Sequence, residues 1–110
     1  MKINILGEEW EIKFRKRKKD KMLETSDGYC DRSMKMLVIA KDGEDSGFCD
    51  YEEYRKSVIR HEIIHAFLVE SGLDGNWKHC DQFGHDETMV DWIAIQFPKL
   101  IKAFEAAGCL

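Results

Sequence analysis

The sequence predicts an α+β fold, a small, mostly antiparallel β-sheet of three or four strands packed against two helices. Three observations carry that expectation. Short runs within residues 2–41 alternate apolar and polar side chains, the period of half-buried strands. Residues 51–71 and 86–108 space their apolar side chains three and four apart, the period of helices. Strands precede helices instead of alternating with them, which favours a sheet covered by helices over a parallel βαβ arrangement. The 110 residues fit one domain, 44% apolar with one proline and eight glycines. A chain of this size buries about two-thirds of its unfolded surface.

Each element has its own signal. Residues 2–6 favour a strand, and Gly7-Glu8-Glu9 turns into a second, where Trp10, Ile12 and Phe14 alternate with Glu11 and Lys13. A basic stretch and residues 23–28 form a connection with room for a helical turn. Strands are expected at 29–33 and again at 34–41, where Met36, Val38 and Ala40 alternate with Leu37 and Ile39, so both faces are apolar. Residues 41–47 are a loop by their Gly and Asp content. Asp50 and Glu53 have the spacing of a capping box for a helix ending at Ser71-Gly72, with Tyr51, Tyr54, Val58, Ile59, Ile63, Phe67 and Leu68 as its apolar positions. After a polar loop to His85, Asp86 caps the second helix, whose apolar stripe is Met89, Val90, Ile93, Ala94 and Phe97 with Trp92 on its flank. Pro98 is expected to kink or restart it, and Leu100, Ile101, Phe104 and Ala107 continue the pattern.

Several classes are excluded. The longest apolar runs, residues 36–40 and 66–69, are far short of the roughly 18 residues of a membrane span. The N-terminus lacks the apolar core of a signal peptide, so a cytoplasmic location is expected. Cys30, Cys49, Cys80 and Cys109 form no C-x-x-C pair and are expected to be free thiols. The net charge is −4, yet Lys13, Arg15, Lys16, Arg17, Lys18, Lys19 and Lys21 surround a lone Asp20. With no Arg/aromatic interleaving and no helix-turn-helix pattern, this stretch is expected to be a solvated strand end and turn, not a nucleic-acid site.

The chemistry lies in His61-Glu62-Ile63-Ile64-His65, an H-E-x-x-H motif inside the first helix. Positions four apart share a helix face, so both imidazoles can turn toward one tetrahedral ion, and Glu62 beside them suits a base acting on a water molecule. A catalytic zinc takes a third protein ligand and keeps an open position. The metzincin extension would need glycine at 68 and histidine at 71, where Leu68 and Ser71 stand, so that class is excluded. The remaining candidates are His79, Cys80, Asp81, His85, Asp86, Glu87 and Asp91. Glu87 opens the second helix and leads on position, with His85 as the alternative. Asp91, one turn further, can accept the free N–H of a liganding histidine.

On these motifs the chain resembles a known group. H-E-x-x-H, followed about twenty residues later by a helix bearing Glu87 and Asp91 as E-x-x-x-D, is the gluzincin arrangement of metallopeptidases. Residues 87–94, then Phe97-Pro98, resemble the E-x-x-A-N-x-F-A … P signature of ImmA/IrrE-type peptidases, with Asp91 where those chains carry asparagine. Residues 60–68 and 89–96 are similar to small zinc-peptidase-like proteins of phages and prophages. The resemblance spans residues 28–100. It implies a zincin-like fold in a single domain over 1–110: a sheet-forming half at 1–41, an active-site helix at 50–71 and a third-ligand helix at 86–108. It also implies one Zn²⁺ held by His61, His65 and Glu87, Glu62 as catalytic base, and Asp91 behind the ligands.

The expected reaction is hydrolysis of peptide bonds in a specific intracellular protein, within the host cytoplasm if the chain is phage-encoded. His85, His79 and Tyr54 are the candidate donors to the developing oxyanion. Strand 34–41 is expected to be the sheet edge where an extended peptide adds. The rival reading is a catalytically weak zinc-binding regulatory or interaction protein of a phage or mobile element.

Overall fold

The computed structural model describes residues 1–43, 50–74 and 87–110, with the backbone alone for 87–91 and 94. Among the described residues, four strands, β1 (Lys2–Ile5), β2 (Glu8–Arg15), β3 (Gly28–Asp31) and β4 (Met36–Ala40), precede two long helices, α1 (Tyr51–Glu70) and α2 (Glu87–Ala107), and residues 73–74 are helical as well. The α+β class is as expected from the sequence.

β1 and β2 form a hairpin around Leu6 and Gly7, whose φ angles of 52° and 95° give a two-residue turn with the twist that antiparallel strands need. The Asn4 side chain accepts from the Gly7 N–H at 3.0 Å. Leu6 is an unusual residue for a left-handed position, and its side chain packs on the main core. After β2 the chain makes two 3₁₀ turns, Arg17–Lys19 and Lys21–Glu24, inside the segment expected to be a connection.

The sheet is mixed, in the order β1-β2-β4-β3. The outer pairs are antiparallel as expected, but β2 and β4 run parallel, with Ile12 opposite Leu37 and Phe14 opposite Ile39. The reason is a skipped position. The segment after β2 carries the chain past one strand's width, β3 returns there, and β4 then fills the gap beside β2. Strand 34–41, expected at the edge, is therefore internal. Its two apolar faces are the physical reason, since a strand apolar on both sides is one that is covered on both sides.

Leu37 and Ile39 join Ile3, Ile5, Trp10 and Ile12 on the face covered by the helices, against Ile59, Ile63 and Phe67 of α1 and Leu100, Ala103 and Ala107 of α2. Val38 and Ala40 lie on the opposite face with Leu23 from the second 3₁₀ turn. Trp10, almost fully buried, donates its indole N–H to Glu70 at 2.8 Å and so ties β2 to the last turn of α1.

α1 begins as its capping residue requires, the Asp50 carboxylate accepting from the Glu53 N–H at 3.1 Å. The Glu53 carboxylate pairs with Lys56 at 3.2 Å. Gly72, at φ 80°, ends the helix. α2 departs from expectation in two ways. It continues through Pro98 as one element, which excludes the restart but not the kink that the sequence allowed. Its buried stripe is also rotated: Ile93 and Phe97 are exposed, whereas Trp92 packs on the core and Leu100, Ala103 and Ala107 are buried. That set, spaced at eight, three and four, puts Ile93 and Phe97 off the contact face. The Asp86 cap lies outside the described residues. No described helix is long and apolar enough to cross a membrane.

Candidate metal centre

α1 buries Val58, Ile59, Glu62, Ile63, Ala66 and Phe67. His61 and His65 stand beside that stripe on the exposed margin, one turn apart. Their Nε2 atoms approach to 3.1 Å. Two nitrogens bound tetrahedrally to zinc at about 2.0–2.1 Å would lie about 3.3 Å apart, so the pair already stands close to the bite of a single ion. Two imidazole nitrogens facing one another also suit a soft-to-borderline divalent cation. These two donors are of the type zinc takes, and a catalytic site would need a third. Partial burial holds the His65 pKa down, and the adjacent His61 lowers it further, which favours the neutral ring that a metal ligand needs.

Glu62 is the buried charged residue of the described structure, 6% exposed. Burial pushes its carboxyl pKa up, against a smaller lowering by His61. It lines two adjoining cavities, of about 280 and 410 Å³, that share Ser26, Gly28, His61 and Glu62. Together they form a cleft between α1 and β3. The outer position of β3 in the sheet order leaves one of its sides without a strand partner among the described residues. Arg32 and Asp74 close one end through a 2.9 Å ion pair. At the other end Tyr54, one of the expected oxyanion donors, gives its hydroxyl hydrogen to Asp27 at 2.7 Å.

Cys30 also lines the cleft. Its thiol is pushed up to about 11, first by burial and then by the Glu62 charge, so it is protonated at neutral pH and a poor ligand. Cys30 and Cys109 are free, as expected. Cys49 and Cys80 lie outside the described residues.

The third ligand is a matter for the other helix. The described part of α2 begins with Glu87, and Asp91 follows one turn later, both as backbone only. His79, Cys80, Asp81, His85 and Asp86 lie outside the described residues. Among the described residues no third His, Cys, Asp or Glu joins the histidine pair.

Two residues that the sequence did not single out shape this site. Asp27 sits in the cleft wall, with Arg17 and Tyr54 on its two carboxylate oxygens. Gly28 lets β3 approach α1 closely. A Cβ there would lie 3.0 Å from the Val38 carbonyl oxygen, 3.0 Å from Val58 Cγ1 and 3.3 Å from Glu62 Cγ. A glycine opening a strand is the one available sequence signal, and it is a weak one. Gly28→Ala should therefore destabilise the fold by about 1–3 kcal/mol, read as a lower melting temperature, because a backbone oxygen cannot give way like a side-chain end.

Comparison with protein-family models, with curated proteins and with solved structures finds no match to this chain.

Proposed function

We propose that the chain is a zinc-dependent metallopeptidase of the zincin kind, acting on a protein target. One observation carries this reading: two histidine nitrogens 3.1 Å apart on a cleft wall, with a buried glutamate between them in sequence. A purely structural zinc site has no use for such a carboxylate.

His61 and His65 would hold the ion, with Glu87 as third ligand, His85 as the alternative, and Asp91 steadying a histidine through its second ring nitrogen. Zinc, when bound, acidifies water and polarises a carbonyl. The chain supplies the rest. Glu62, its proton affinity raised by burial, accepts the proton of the attacking water and passes it to the leaving amine. A histidine of the segment that carries His79 and His85 would donate to the oxyanion, and Tyr54 could do so only by turning its one hydroxyl hydrogen away from Asp27. An extended peptide would add along the free side of β3, not along 34–41 as the sequence suggested. Backbone hydrogen bonds would give affinity there, and the cleft around Cys30 and Arg32 would give selectivity.

Zinc titration tests the first half. The wild-type chain should bind one ion, and zinc at one hundred times its dissociation constant should raise stability by about 2.7 kcal/mol, or roughly 10 °C in melting temperature. His65→Ala should remove that rise. A chain whose melting does not respond to zinc refutes the metal centre. A chain that binds zinc yet releases no new N-termini from a denatured cellular protein mixture supports the regulatory alternative instead.

A further inference from the structure

The basic stretch looked like an ordinary solvated turn in sequence, but folding distributes its charges unequally. Arg15 and Arg17 turn inward, to Asp20 at 3.0 Å and Asp27 at 2.5 Å. Lys13, Lys16, Lys18, Lys19 and Lys21 stay exposed, as does Lys41 at the end of β4. None of these six makes an ion pair among the described residues, nor do Lys99 and Lys102, whereas Lys2, Lys35 and Lys56 each do. Three of the six converge. A cavity of about 420 Å³ is lined by Phe14, Arg15, Lys16, Lys19 and Lys41: one aromatic ring, the Asp20-paired Arg15 and three ammonium groups, with Asp42 close enough to Lys16 to feel its charge.

In a chain of net charge −4, grouping ammonium ions around one cavity costs self-repulsion that an anionic guest would remove. The aromatic ring narrows the guest. Phe14 is 38% exposed, and the Arg55 guanidinium lies 5.5 Å from its ring centre. Phe14 comes from the end of β2 and Arg55 from the second turn of α1, so the arginine–aromatic combination absent from the linear sequence is made by the fold. The Phe14 ring offers a stacking face that a nucleobase can use and a carboxylate cannot, whereas Arg55 is already ion-paired to Glu52 at 2.9 Å.

We propose that this surface binds single-stranded nucleic acid, with phosphates on Lys16, Lys19 and Lys41 and a base against Phe14. It shares no lining residue with the cleft at His61 and Glu62, so it stands or falls independently of the peptidase reading.

The test is fluorescence anisotropy with a labelled twelve-residue oligothymidylate. Three phosphate contacts on a single strand predict that affinity falls about 20-fold between 50 and 200 mM salt. Lys16→Glu, Lys19→Glu and Lys41→Glu together should abolish binding, the melting curve confirming that the chain still folds. Phe14→Leu should weaken binding about tenfold while leaving the salt dependence unchanged, because it removes stacking and not charge. Absence of binding at 50 mM salt, or full binding by the triple variant, overturns the proposal. So does equal competition by polyglutamate with no effect of Phe14→Leu, which would assign the surface to an acidic protein.

Discussion

Replacing Glu62 with glutamine is expected to lower peptide hydrolysis by about 10²–10⁴-fold, the usual worth of a positioned general base, while zinc content stays near one ion per chain. The substitution keeps size and shape inside the packing of Val58 and Gly28, so the cleft should persist. It also separates two roles for the same carboxylate: a base can be removed without losing metal, a ligand cannot. Loss of zinc together with activity would reassign Glu62 to coordination. Stability gives a second reading. A carboxyl whose pKa is raised in the fold contributes stability below its unfolded value, which is lost as pH rises through the folded one. The more Glu62 ionises as pH rises, the more it thus costs the metal-free fold. The metal-free Glu62→Gln chain should melt no lower than wild type, and a clear fall would mean that the carboxylate is held by a partner.

The histidine pair was legible because one variable decides it. Once residues 51–71 are a helix, four positions are one turn, and His61 and His65 must share a side. Strand alternation was legible for the same reason. Trp10 and Ile12 are buried where period two puts them, and Val38 and Leu37 face opposite ways. Order within the sheet is a different kind of information. Nothing local to residues 36–40 says that they slot between β2 and β3, although their double apolar face pointed to a covered strand. α2 shows how thin a helical pattern becomes when nearly every position is apolar. Ile93 and Phe97 match the period as well as Trp92 and Leu100 do, and only the partner surface chooses between them. Gly28 and Phe14 matter through residues distant in sequence, Glu62 and Arg55, so a linear reading could not value them.

Arg17 is the clearest such case and gives the largest expected effect on stability. In sequence it is one cation among seven. In the fold its side chain is mostly buried and its guanidinium donates to the carbonyl oxygens of Asp42, Leu23 and Ser26 at 3.1, 3.0 and 3.1 Å and to Asp27 at 2.5 Å. Its own N–H binds the Asp42 side chain at 2.9 Å. One planar fork thus closes the connection between β2 and β3 and fixes the residue that begins the cleft wall, which Tyr54 holds from the α1 side. Arg17→Ala should cost about 3 kcal/mol. That is the worth of one or two charge-assisted hydrogen bonds rather than the sum of four, because Asp27 is partly exposed and water replaces some of the loss. For a domain of this size it is a fall of at least 10 °C in melting temperature. Arg17→Lys, with a point charge in place of a fork, should recover less than half.

Acid provides the check on mechanism. Burial pushes the Asp27 carboxyl up, but hydrogen bonds from Tyr54 and Arg17, with the Arg17 charge, outweigh it and hold the group below the ordinary carboxylate range. A lowered folded value means stability that is present above the unfolded pKa of about 3.9 and lost as pH falls through the folded one. The gap between wild type and Arg17→Ala should therefore be constant near neutrality and narrow below about pH 4. A gap that persists unchanged into acid would put Arg17's contribution in its carbonyl contacts alone, and a variant melting within 2 °C of wild type would remove the clamp altogether.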